Sequence, residues 1–322
     1  MCLPRAYLYA VPSVRRSPEL MTRNHPSADG DGWDDEHQRA DGSTPTRRRL
    51  LRATAATAVG TAGLAGATGS GSAVGFPDCD DWLEAPAEYP EIDLTTGNPS
   101  AVNAEAIEDA DEVVIFVHGW LGLESSTDQA ATLEQALEDE EYDDPVVAAA
   151  WEADTRNYWR AESRTETAGR RLAAWLEADR IDLAETTVRL VGHSLGGRVC
   201  LETLAALEDA TLETVALVGT AADDDSVCTD GRYAYGIETG AAAVYNYHSE
   251  NDDSVCYGYD AQSLSSGLGC GGADCSGGWL DDDDGSTPGH YTDVDVTEQV
   301  EDHCDYTKPD VGCVSRLVDD FE

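Results

Sequence analysis

Short apolar blocks alternate with longer amphipathic ones along this chain. Glu112-Val113-Val114-Ile115-Phe116-Val117 is an apolar run of strand length, and Pro145 to Trp151 is a second. Thr187-Val188-Arg189-Leu190-Val191, Thr214-Val215-Ala216-Leu217-Val218 and Ala243 to Tyr247 repeat the pattern. Runs of this kind, with little polar alternation, predict strands buried on both faces. Between them, Ala161 to Ala178 has helical periodicity with Leu172, Trp175 and Leu176 on one side, and Leu195 to Leu207 reads as an apolar helix. Strands alternating with helices predict right-handed crossovers and a mostly parallel central sheet with helices on both faces, an α/β fold. The segment Ser263 to Pro288, rich in Gly, Ser, Cys and Asp, reads as a long surface loop, and Val296 to Tyr306 as an acidic helical stretch.

Composition divides the chain into three parts. Residues 1–45 are polar and read as a disordered extension, residues 46–73 as an export signal, and residues 74–322 as one domain. Within the second part, Thr46-Arg47-Arg48-Arg49-Leu50-Leu51-Arg52 precedes a small-residue apolar run from Ala53 to Ala67. That order resembles a twin-arginine (Tat) signal, which implies the Tat export machinery as a partner and a secreted, extracellular product. The apolar run is too short and too rich in Gly, Ala and Thr to span a bilayer stably. Ala65-Gly66-Ala67 offers a small-residue cleavage site.

Charge narrows the partners. The chain carries −44 formally, and residues 74–322 hold 57 acidic residues against 11 basic ones, a net −46. Such a surface repels nucleic acid and anionic membrane, so both are disfavoured as partners. An acid excess with a single Lys (Lys308) resembles proteins of extreme halophiles, where the Debye length at molar salt shrinks to about 3 Å and screens the repulsion. Disorder does not fit, because 41% of the residues are hydrophobic and fall in ordered blocks. With acids everywhere, no Asp is informative by itself.

Eight of the nine Cys lie beyond the leader: Cys79, Cys200, Cys228, Cys256, Cys270, Cys275, Cys304 and Cys313. An even number in an exported chain suggests disulfides, with Cys270/Cys275 and Cys304/Cys313 as local pairs. Cys200 falls inside the apolar helix and reads as a buried thiol, which leaves an odd partner. No paired C-x-x-C spacing points to a metal site.

The chemistry lies in two turns. Gly192-His193-Ser194-Leu195-Gly196-Gly197 sits between a strand and an apolar helix. A G-x-S-x-G sequence in that context forms a nucleophile elbow, a strained turn that presents the Ser hydroxyl at the sheet tip above a helix N-terminus. His118-Gly119-Trp120-Leu121-Gly122 follows the strand ending at Val117. Acyl transfer needs two N–H donors about 3 Å from the developing oxyanion. The expected donors are Leu195 N–H, directly after Ser194, and Trp120 N–H, in the upstream loop. His118 itself reads as a hydrogen-bonded turn histidine, not a base.

Together these motifs resemble lipases and esterases of the α/β-hydrolase fold. The resemblance implies a triad in the order Ser, Asp or Glu, His along the chain, with the acid after a late strand. Three of the seven His follow Ser194: His248, His290 and His303. His248 precedes the best acid candidates, and His303 lies in the acidic stretch. His290, in the turn Pro288-Gly289-His290-Tyr291, is the expected base. Asp252 is the expected acid, because Asn251-Asp252 after the strand ending at His248 resembles the Asn-Asp step of many lipases. Asp253 is its close rival, and Asp223, Asp224 or Asp225 would serve if the acid came one strand earlier. Leu121 and Leu123, beside Trp120, are the expected lining of an acyl pocket covered by Trp151, Tyr158 and Trp159. The expectation is an exported ester hydrolase acting on a small-molecule or lipid ester through Ser194, with no metal or organic cofactor. Amide, peptide or thioester hydrolysis by the same residues is the alternative, as is a non-catalytic exported binding protein on the same fold.

Overall fold

A computed structural model describes residues 79–321 except 104–106, 108–109, 179–182, 184, 264 and 277–284, all within one compact unit, Thr68–Glu322. The expected extension (1–45) and export signal (46–73) lie outside the described residues.

The apolar blocks line up as the centre of an eight-stranded sheet. In chain order the strands are β1 (Glu91–Asp93), β2 (Ser100–Val102), β3 (Glu112–Val117), β4 (Val146–Ala150), β5 (Thr187–His193), β6 (Leu212–Val218), β7 (Ala241–His248) and β8 (Tyr291–Asp295). Across the sheet they run β2-β1-β4-β3-β5-β6-β7-β8, and among the described pairings only β1 with β2 is antiparallel. The principal helices are α1 (Ser126–Asp139), α2 (Tyr158–Leu176), α3 (Leu195–Ala206), α4 (Ala234–Gly240) and α5 (Val314–Phe321).

The pleat of β3 shows how the sheet is covered. Val113, Ile115 and Val117 point into a core shared with Leu172 and Trp175 of α2 and Val199 and Leu201 of α3. Val114 and Phe116 point the other way, into a core with Leu133 and Leu137 of α1 and Leu317 and Phe321 of α5. A strand buried on both faces has no polar side to alternate with, which is why β3 reads as an unbroken apolar run. The α2 helix starts where the Asn157 side chain accepts a hydrogen bond from Arg160 N–H at 3.0 Å. At the N-terminal edge of the sheet, buried Arg189 pairs with Glu112 and donates to Thr214 Oγ1 at 2.6 Å, tying β3, β5 and β6. This is the mostly parallel sheet with helices on both faces expected from the strand and helix alternation, and it has the α/β-hydrolase architecture that the resemblance implies.

On its far side one strand goes unpredicted and one expected helix is absent. The segment Tyr291–Asp295 is a strand, parallel to β7 in the register Val244↔Tyr291 through His248↔Asp295. Its Thr292, Asp293 and Asp295 face solvent, as suits a sheet edge kept charged, and this polarity hides it in the sequence. Residues 296–306 then run as turns and not as a helix.

Among the described residues three disulfides staple the periphery: Cys79–Cys304, Cys228–Cys275 and Cys256–Cys270. The local pairs Cys270/Cys275 and Cys304/Cys313 are not formed. Cys270, in a one-turn helix at Leu268–Gly271, meets Cys256 instead, and Cys304 meets Cys79 across a sequence separation of 225. Cys200 and Cys313 remain buried thiols; burial pushes the Cys313 thiol up to about 12, and its S–H contacts the Tyr306 carbonyl at 3.6 Å. Among the described residues no helix is long and apolar enough to cross a membrane. Closing so long a loop removes much unfolded-chain entropy, so Cys79→Ser should cost about 2–5 kcal/mol. Denaturant unfolding of oxidised wild type and variant measures this; equal midpoints would mean the bond adds nothing.

Candidate active site

Ser194 joins β5 to α3 with φ +57° and ψ −122°, a conformation non-glycine residues seldom adopt. Neighbouring strands hold it there. Ser194 N–H donates to Val218 O at 3.0 Å, and Ser194 O accepts from Gly197 N and Ala221 N, each at 3.1 Å. A side chain at Gly196 would begin 2.0 Å from the Val117 carbonyl oxygen, so the first turn of α3 can approach the tip of β3 only with glycine there.

An imidazole reaches Ser194 from the turns after β8. Ser194 Oγ lies 3.0 Å from His303 Nε2, and His303 Nδ1 lies 2.7 Å from Asp252 Oδ2. A carboxylate only accepts, so Nδ1–H donates to Asp252, and Nε2 lies where it can accept a hydrogen bond from the Ser194 hydroxyl. Asp252, Ser194 and His303 are 0%, 3% and 4% exposed. Asp252 follows β7 at the start of a π-helical segment, Ser254–Tyr259, and its carboxylate is held by Val255 N–H (3.0 Å) and Tyr306 Oη–H (3.2 Å). Burial, and then the Asp252 carboxylate, hold the Tyr306 pKa well above its ordinary value, so it remains a donor. An imidazole in contact with a serine hydroxyl on one side and a buried carboxylate on the other can take the hydroxyl proton and have its cationic form stabilised.

His290 is not brought to Ser194. It is exposed and sits before β8, where its Nδ1 contacts Ala241 O, at the start of β7, at 2.9 Å. Since β8 runs parallel to its neighbours, His290 lies at the N-terminal edge of the sheet and Ser194 at the C-terminal edge. The unrecognised strand therefore displaces the expected base by its whole length, about 16 Å at 3.3 Å per residue, and carries His303 to the edge where Ser194 lies. Among the other acids, Asp253 is exposed and Asp223 accepts from Tyr259 Oη–H at 2.8 Å. Burial and then Asp274 raise Asp224 to about 6.

The upstream loop packs onto the elbow. A side chain at Gly119 would begin 2.9 Å from Ser194 Cβ, so the two turns touch. His118 shapes this loop: its Nδ1–H donates to Gly119 O at 2.9 Å, its Nε2 accepts from Trp151 N–H at 3.1 Å, and its ring stacks on Trp151. Trp151 is thus core, not a pocket cover. The Trp120 indole donates to Thr155 O at 2.6 Å and packs edge-on against buried Tyr158. Leu121, with φ +61°, is 43% exposed; Leu123 is half-buried; Trp159 is 59% exposed. As the first amide of α3, Leu195 N–H has no acceptor within its helix. No group of residues suited to a metal ion occurs among the described residues.

Residues 107–221 match the family model described as "Putative serine esterase (DUF676)". The match spans β3 to the end of β6 and includes Trp120, Ser194 and Leu195, but it stops before Asp252 and His303. No curated protein matches the chain. Among solved structures, an esterase of Pyrobaculum calidifontis is 12% identical, with 74% of this chain and 85% of that one covered and a TM-score of 0.41. Est1E from Butyrivibrio proteoclasticus is 13% identical, with 66% and 86% covered and a TM-score of 0.37. The esterase domain of a Rhodothermus marinus protein is 16% identical, with 65% and 85% covered and a TM-score of 0.35.

Acid should unfold this site for a definable reason. Burial lowers His118 from 6.5 to about 4, and burial together with the neighbouring His303 lowers His193 to about 3. Below pH 6.5 the unfolded chain binds protons that the folded chain refuses. Stability present above that pH is lost on acidification, down to about 4 for His118 and about 3 for His193. Each contributes about 1.4 kcal/mol per pH unit within its window. Unfolding free energy measured from pH 6 to pH 4.5 should therefore fall less steeply for His118→Gln than for wild type, by about that amount per unit. Equal slopes would show that His118 accepts a proton in the fold.

Proposed function

We propose that this chain is an exported serine ester hydrolase in which Ser194 is the nucleophile, His303 the general base and Asp252 the orienting acid. The observation that carries the reading is the buried row from Ser194 Oγ through His303 to Asp252, with contacts of 3.0 and 2.7 Å. His303 takes the Ser194 proton as Oγ attacks the acyl carbonyl. Asp252 keeps Nδ1 protonated and stabilises the imidazolium. The amides of Leu195, at the positive end of α3, and of Trp120 receive the oxyanion. His303 then protonates the departing alcohol, and water activated by the same imidazole frees the acid. Leu121 and Leu123, next to Trp120, would meet the acyl chain of a small-molecule or lipid ester. The serine-esterase description of the matching family model supports an ester over an amide or thioester.

Export is part of the reading. Three disulfides favour an oxidising compartment, and the twin-arginine pattern at Thr46–Arg52 supplies a route to one. The −46 carried by residues 74–322 supports work at high salt.

Hydrolysis of matched p-nitrophenyl esters and anilides tests the chemistry. Ser194→Ala and His303→Ala should each lose at least about a thousandfold in kcat, while His290→Ala stays within about twofold of wild type because it leaves the reacting groups untouched. Anilide turnover matching that of the esters would favour the amidase alternative, and an active Ser194→Ala would remove the nucleophile. Dilution from about 1 M to about 0.1 M salt lengthens the Debye length from about 3 to about 10 Å. Activity and folding, followed by ester turnover and circular dichroism, should decline over that range; stability indifferent to salt would remove the halophilic reading.

A further inference from the structure

His193, the residue before the nucleophile, takes no part in the proton transfers above, yet it is 5% exposed and packed against the base. Its ring centre lies 4.7 Å from that of His303, and its Nε2 lies 2.8 Å from the His303 carbonyl oxygen. A carbonyl only accepts, so Nε2 carries the proton and donates it. Burial keeps this imidazole neutral throughout the working range, so the donor does not change with pH.

The two residues of the elbow thus grip one residue of the distant turn. Ser194 meets the His303 ring, and His193 meets the His303 backbone. Asp252, through Nδ1, is the third point of attachment. Ser194 donates to the His303 ring and Asp252 accepts from it, so both of these hydrogen bonds act on the side chain. The His193 bond acts on the main chain and refers it to β5, the strand that also fixes Ser194. We infer that His193 is a positioning residue for the reaction, setting the distance and tilt of the His303 imidazole relative to Ser194 Oγ through the His303 carbonyl. This inference rests on the hydrolase reading above.

His193→Phe retains an aromatic ring and removes the donor; His193→Gln returns an amide N–H near the place of Nε2. A displacement of about 1 Å at a reacting group can cost about a hundredfold. His193→Phe should therefore lower kcat/KM for a p-nitrophenyl ester by about 10- to 100-fold, with the loss in kcat and KM within about twofold. His193→Gln should recover to within about threefold of wild type. If His193→Phe does not fold, His193→Met, also without a donor, takes its place in the comparison. Activity of the donor-free variant within about twofold of wild type, or equal losses in the Gln and donor-free variants, would overturn the inference. The rate of labelling by a fluorophosphonate separates the two layers of the argument. A wild type that is not labelled removes the hydrolase reading itself. A labelled wild type with an equally fast donor-free variant removes only the role of His193.

Discussion

The backbone of Ser194, held at φ +57°, is the constraint around which the site is arranged. A non-glycine residue in such a conformation carries about 1–3 kcal/mol of strain and persists only where its surroundings over-determine it. Here β6 accepts its N–H, the turn after β6 and the first turn of α3 share its carbonyl, and Gly196 lets α3 close against the tip of β3. The strain places the hydroxyl above the helix N-terminus and within reach of a loop that arrives more than a hundred residues later in the chain. A relaxed turn would lose the helix dipole and the contact with Gly119 together.

The parts of this molecule legible in the sequence are those whose surroundings are uniform. Strands β3 to β7 are buried on both faces, so their composition alone marks them, and the glycines around Ser194 mark a turn that cannot hold bulk. His118 likewise reads correctly as a turn histidine, since its ring is consumed by Gly119 and Trp151. Strand β8 is illegible because its outer positions are acidic in a chain where acids are everywhere. Without β8, the turn before it becomes the natural source of a histidine, and His290 is expected in place of His303. One missed strand exchanged the edges of the sheet.

Position along the chain, not charge, is what singles out Asp252. Charge says nothing about Asp252 or Asp253, but their position after an apolar strand does. Burial then separates them, since Asp252 has two protein donors and an imidazole for its carboxylate while Asp253 points to solvent. A buried carboxylate that lost its partner would be costly, about 3–5 kcal/mol. Asp252 and His303 therefore stabilise each other's place in the fold. Disulfide pairing was beyond reach for a related reason: Cys79 and Cys304 are brought together by the whole tertiary structure, and nearness along the chain is no guide to it.

That last bond gives the molecule an unusual covalent topology. With Cys79 joined to Cys304, all the strands of the sheet lie inside one closed ring of main chain. A protease that severs any single peptide link within the ring produces a nicked chain and no released fragment. Gel electrophoresis in detergent would then record one species without thiol and two with it, and a clipped surface loop need not detach the segment carrying His303 from the strand carrying Ser194.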